Sequence, residues 1–84
     1  MKNCIITFRS VTPAQQGEET LRRAGIVCQI GRTPKRMEEQ GCGYRLRLDL
    51  RDAPKAVALL REKQIPMRKA YLLRENGTAE ELAL

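Results

Sequence analysis

Apolar and polar positions alternate most regularly where Tyr44, Leu46, Leu48 and Leu50 are interleaved with Arg45, Arg47, Asp49 and Arg51. A period of two predicts a strand with one buried and one solvated face. Residues 4–9, Cys-Ile-Ile-Thr-Phe-Arg, predict an earlier strand rich in β-branched and aromatic side chains. After it the period lengthens: Ala14, Gly17, Leu21 and Ala24 recur at three- and four-residue spacing, as on one helix face. Thr12 is the expected N-cap, with Pro13 in the first helical position, Gln15 completing a capping box, and Gly25 as the stop. Gly17 lowers helix propensity, which close packing against a sheet would explain.

Ile26-Val27-Cys28-Gln29-Ile30 predicts a second strand, with Ile26, Cys28 and Ile30 facing inward. Asp52 is expected to cap a second helix running to about Lys63, with Pro54 in its first turn. Its buried stripe is Ala53, Ala56, Val57 and Leu60, widened by Leu59. Met67 to Leu73 predicts a fourth strand, and Thr78-Ala79-Glu80-Glu81 a short terminal helical turn. The order β-α-β-β-α-β predicts an α+β, ferredoxin-like fold, with two helices packed on one face of a four-stranded antiparallel sheet. Residues 1–76 would form this single domain and residues 77–84 a short C-terminal tail. The arginines of the third strand would line the open face. The longest connection, Gly31 to Gly43, is the expected place for function.

With 84 residues, the chain has room for two packed layers but no deep substrate cleft. A hydrophobic fraction of 42% and a charged fraction of 31% exclude wholesale disorder. The net charge of +6 favours anionic partners, whether nucleic acid, small anions or acidic protein surfaces. Aromatic residues are restricted to Phe8, Tyr44 and Tyr71, which argues against binding single strands by base stacking. Three cysteines without a CxxC pair indicate neither a disulfide framework nor a zinc knuckle. Reduced thiols in the cytoplasm fit better. The apolar run after Met1 is too short for a signal-peptide core or a membrane span. Asn76-Gly77-Thr78 matches a glycosylation pattern, but nothing in the sequence routes the chain to secretion.

Gly41-Cys42-Gly43 is the one segment that suggests chemistry. A thiol flanked by residues without side chains is open to approach, and only the thiolate attacks or holds sulfur or selenium. Lys35, Arg36 and Arg45 can supply positive charge, while Glu38 and Glu39 partly cancel it. The Gly-Cys-Gly backbone can turn amide N–H groups toward an anion. Equally, Gly41 and Gly43 can merely make a turn, with Cys42 incidental; the residues alone leave both readings open. Cys4 and Cys28 lie in apolar strands, where cysteine packs as a small hydrophobe. Ser10 and Thr12 are cap residues first and substrate-binding candidates second. The stripe Arg45, Arg47 and Arg51, with Arg32, Lys35 and Arg36, is either an anionic-partner footprint or the solvated side of a strand.

Phe8-Arg9-Ser10-Val11-Thr12-Pro13-Ala14, then Leu21, Ala24-Gly25-Ile26, Thr33-Pro34-Lys35-Arg36 and Cys42-Gly43 resemble, in order and spacing, a family of small selenium/sulfur carrier-like proteins. The likeness covers roughly residues 4–74. It implies a ferredoxin-like domain whose Cys-Gly cysteine, here Cys42, holds a persulfide or selenopersulfide. It also implies that Gly43 permits the turn, while Pro34 and Arg36 shape the loop and its charge. In the family the stretch before the cysteine is often small and serine-rich; here it is Met37-Glu38-Glu39-Gln40-Gly41.

The resulting expectation is a cytoplasmic carrier and not a turnover enzyme. It needs no cofactor beyond transient sulfur or selenium on Cys42, and no metal. Its substrate- or anion-binding candidates are Gly41, Gly43, Lys35, Arg36, Arg45, Ser10 and Thr12. Its partners would be donor and acceptor proteins, with no nucleic acid and no membrane, and with self-association through the sheet left open. Three rivals stand beside it. One is a non-catalytic adaptor with an open basic sheet face, for which Cys42→Ala changes nothing. The second is an RNA-binding module, which requires aromatics beside the strand-three arginines, where the sequence suggests none. The third is a Cu(I) chaperone, which requires Cys4, Cys28 and Cys42 to converge.

Overall fold

The computed structural model describes residues 2–32 and 43–82. Its elements are β1 (Asn3–Phe8), α1 (Val11–Arg23), β2 (Cys28–Arg32), β3 (Tyr44–Asp49), α2 (Ala53–Glu62), β4 (Lys69–Leu73) and β5 (Ala79–Leu82), with a 3-10 turn at Leu50–Asp52. The strands form one five-stranded sheet in the order β2-β3-β1-β4-β5, and each neighbouring pair is antiparallel. The architecture is therefore α+β, but with five strands where four were expected.

The fifth strand replaces the helical turn expected at Thr78–Glu81. A tight turn sends the chain back along β4: Gly77 sits at φ 87°, and Arg74 N donates to Thr78 O at 2.9 Å. Asn76 Oδ1 accepts from Thr78 N at 3.0 Å and from Thr78 Oγ1 at 2.7 Å. Tyr71 then pairs with Glu81 and Leu72 with Glu80. Helix propensity in Ala-Glu-Glu loses to this hairpin geometry.

Both helices pack on the same side of the sheet. Cys4, Ile6 and Phe8 of β1, Leu46 and Leu48 of β3, and Ala70 of β4 share one cluster with Ala14 and Leu21 of α1 and Ala53, Ala56 and Leu60 of α2. Gly17 lets α1 approach closely. A Cβ there would lie 3.1 Å from Leu46 Cδ1, 3.3 Å from Leu60 Cδ2 and 3.4 Å from Phe8 Cζ. The expected reason for a mid-helix glycine is thus met by contact with both the sheet and α2.

The two helices end alike. In α1, Gly25 N donates to Arg22 O and Ile26 N to Leu21 O; in α2, Gln64 N donates to Arg61 O and Ile65 N to Leu60 O. Each pair of bonds closes a left-handed C-terminal motif. Gly25 reaches φ 82° without steric cost, whereas Gln64 is held at φ 57° with a Cβ. Ile26 and Ile65 are buried beyond these turns. This use of Ile26 delays β2 to Cys28 and leaves Val27 82% exposed.

At the start of α1 the cap is Ser10 and not Thr12. Ser10 has extended backbone (φ −142°, ψ 171°), and its side chain makes no capping bond. Thr12 falls inside the first turn, where Pro13 is also tolerated because those N–H groups have no intrahelical partner. Near the end of β3, Asp49 Oδ1 accepts from Arg51 N at 2.8 Å, and this bond turns the chain into the 3-10 segment. Leu50 and Arg51 therefore leave the strand pattern in which the sequence placed them.

Candidate functional site

Of the residues expected to form the site, Cys42, Gly41, Lys35 and Arg36 lie outside the described residues; Gly43, Arg45, Ser10 and Thr12 lie within them. The register places Arg32 and Tyr44 opposite each other, near the two ends of the described chain on either side of residues 33–42. Phe8 pairs with Tyr44, and Tyr44 with Arg32, so the end of β1, the start of β3 and the end of β2 meet along one rim of the sheet. Gly43, which follows Cys42 in the sequence, is buried at this rim. Ser10 and the first turn of α1 follow Phe8 at the same end. There the Arg32 guanidinium stacks over the Tyr44 ring at 5.8 Å from its centroid.

A shallow cleft of about 330 Å³ opens beside this rim, lined by Arg9, Ser10, Pro13, Pro66, Met67 and Arg68. Thr7, only 1% exposed, is tied to the backbone at the start of β4. Lys69 N donates to Thr7 Oγ1 at 3.0 Å, Thr7 Oγ1 donates to Lys69 O at 3.2 Å, and Arg68 N donates to Thr7 O at 2.8 Å. The buried hydroxyl thus has both a donor and an acceptor, which removes the cost of its burial. Thr12 is exposed in the first turn of α1.

Arg45 points to the uncovered face of the sheet, the side opposite both helices, on which no described element packs. Its Nε donates to Arg32 O at 3.2 Å, and its guanidinium lies beside Gly31. Arg47, two residues on, is exposed on the same face. Arg51 is not a member of this stripe: it pairs with Asp49 at 3.2 Å from the 3-10 turn. The Arg51 backbone N–H and then its side chain hold the Asp49 carboxyl below its ordinary range. Tyr71 pairs with Ile5, which pairs with Arg47. This face therefore carries an aromatic on β4, but β1 stands between it and the arginines, and the strands β1 and β3 bring no aromatic to this side, as the sequence suggested. Only the register could reveal it, because the β4 sequence has no clear alternation.

The two described cysteines share the covered face but stand apart. Both pair with Leu48 from opposite sides, so a whole strand lies between them. Two strand spacings, roughly 9.6 Å, exceed the reach of a disulfide. Cys4 is fully buried, and burial pushes its thiol up to about 11. Cys28 is half-buried, with Sγ 3.9 Å from Glu18 O. Burial first, and the Glu18 carboxylate second, raise its pKa against the opposing pull of Arg22. Neither environment favours a thiolate.

Among the described residues, no three His, Cys, Asp or Glu side chains come together as metal ligands, and no helix is long and apolar enough to cross a membrane. Neither the comparison with curated proteins nor that with solved structures gives a match. A family model described as "Putative Se/S carrier protein-like" does match, over residues 3–72, from the first residue of β1 to within β4. That span takes in the whole two-helix core together with the Cys42-Gly43 segment, and the chain belongs to this Se/S carrier protein-like family.

Proposed function

We propose that this protein carries sulfur or selenium on Cys42, as a persulfide or selenopersulfide, between a donor and an acceptor protein. Family membership supports a carrier role in general. The observation that directs it to Cys42 is the state of the other two thiols. Cys4 is buried with its pKa pushed to about 11, and the Cys28 thiol is raised as well. Thiol exchange needs an accessible thiolate, so these two are poor carriers.

Transfer requires no external oxidant. The Cys42 thiolate attacks the outer chalcogen of a donor persulfide or selenopersulfide. A bond from that atom to Cys42 forms, its bond to the donor sulfur breaks, and the donor leaves as thiolate. Delivery repeats the exchange on an acceptor. The protein then acts as a stoichiometric carrier in a reducing, cytoplasmic compartment. Gly41 and Gly43 give access to the thiol, Lys35, Arg36 and Arg45 offset the persulfide charge, and Ser10 and Thr12 stand at the neighbouring helix start. We further read β1 through β4 as ferredoxin-like in topology, with β5 appended; the order β2-β3-β1-β4 supports this.

The test is loading. Reduced protein treated with inorganic polysulfide should gain one sulfur by intact-mass spectrometry, mapped to the Cys42 peptide. The adduct should vanish in Cys42→Ser and persist in Cys28→Ser. Equal labelling of all three cysteines contradicts a dedicated site.

A further inference from the structure

We propose that the uncovered sheet face built around Arg45 and Arg47 docks an extended acidic segment of the partner protein. The proposal deepens the carrier reading, on which its choice of partner rests. The face has a dry centre over which, among the described residues, no further element packs. Ile5 and Thr7 of β1 are 2% and 1% exposed, yet neither helix packs on their side of the sheet. Around them, in register, stand Arg47 and Tyr71 beside Ile5, and Arg45 beside Thr7.

Charge accounting selects the partner. Lys69 is matched by Glu81 at 3.6 Å and Arg51 by Asp49 at 3.2 Å. Among the described residues, no carboxylate pairs with Arg45 or Arg47. The Cα atoms of two alternate residues of one strand stand roughly 6.8 Å apart along it. Alternate side chains of an extended partner repeat at the same distance, so two carboxylates can each meet one guanidinium with paired hydrogen bonds. Arg45 is already held in place by its bond to Arg32 O, which reduces the ordering that docking demands. RNA fits less well. Tyr71 is the one aromatic among the described residues of this face, and single-strand platforms stack successive bases on several.

The probe is a short fluorescein-labelled peptide alternating Glu and Ser, titrated at low salt against the full chain, with oligo(U) in parallel. Backbone amide shifts should map to Arg45, Arg47, Tyr71 and Gln29 and spare both helices. Arg45→Glu with Arg47→Glu should weaken binding about tenfold. Lys55→Glu with Arg61→Glu on α2, an identical change in net charge, should leave it within about twofold. Arg47→Glu alone, at an exposed position without a pairing carboxylate, keeps the test valid if the double variant does not fold. Equal losses in both double variants, shifts mapping elsewhere, or tighter binding of oligo(U) would overturn the proposal. Polysulfide loading separates the two readings. A chain that loads Cys42 but binds no peptide refutes the docking surface alone. One that binds peptide on this face but takes up no sulfur refutes the carrier and leaves the surface.

Discussion

The two faces of this sheet reach similar burial by different means. On the covered face, Cys4, Ile6, Phe8, Leu46 and Leu48 are sealed by two helices, and none is more than 2% exposed. On the uncovered face, Ile5 and Thr7 are just as dry, but their neighbours in register are Arg47, Tyr71, Arg45 and Lys69. Close-packed helices make the first environment rigid. The second is flanked by long side chains with charged or hydroxyl ends, and such chains can rearrange around a partner. One layer holds the fold, and the other presents it.

The sharpest way to break this contrast is to truncate adjacent isoleucines. Ile6→Ala should cost about 3 kcal/mol in urea unfolding and Ile5→Ala about half that, because only the first leaves a hole with fixed walls. Equal costs would mean that the uncovered face is packed as tightly as the covered one. Gly17→Val probes the same rigidity by insertion. With Leu46 and Leu60 already within 3.3 Å of a Cβ position, it should cost about 2 kcal/mol.

Burial of Cys4 makes a pH prediction. Its thiol is raised from 9.0 to about 11 in the fold, so the folded state holds the proton more tightly than the unfolded chain. That stabilisation is complete below pH 9 and is lost as pH rises from 9 through about 11. The loss should amount to about 2 kcal/mol. Cys4→Val should lack this component when urea midpoints are compared across the same range. The smallest effect concerns the helix ends that lock the covered layer. Gly25→Ala should destabilise by about 1 kcal/mol, whereas Gln64→Gly should stabilise by about 0.5 kcal/mol, since only Gln64 now bears a left-handed strain.

Much of the covered layer was legible in the sequence because its signals are periodic. The alternation at Tyr44–Asp49 and the Ala14, Gly17, Leu21 stripe correspond to β3 and the buried side of α1. Three features escaped. β5 was hidden because Ala-Glu-Glu has helix propensity, although the Asn76-Gly77 pair just before it is a strong hairpin signal. Gln64 carries no glycine to announce a helix end, and only the backbone reveals the motif. Tyr71 could be assigned to a face only through pairing with β1. The site was legible in part. The packing roles of Cys4 and Cys28 follow from their apolar strands; Cys4 is buried as expected, while Cys28 is half-buried at the edge of the core. The Cys42 segment has no periodic pattern to constrain it, and it falls outside the described residues.

Residue-resolved alkylation by iodoacetamide across pH, read by peptide mass spectrometry on the native protein, tests the central claim most directly. Cys42 should label first. Cys28 should lag, and Cys4 should label only on unfolding or in strong alkali. Labelling of Cys28 ahead of Cys42, or a Cys42 rate no higher native than denatured, would contradict the assignment of Cys42 as the carrier thiol.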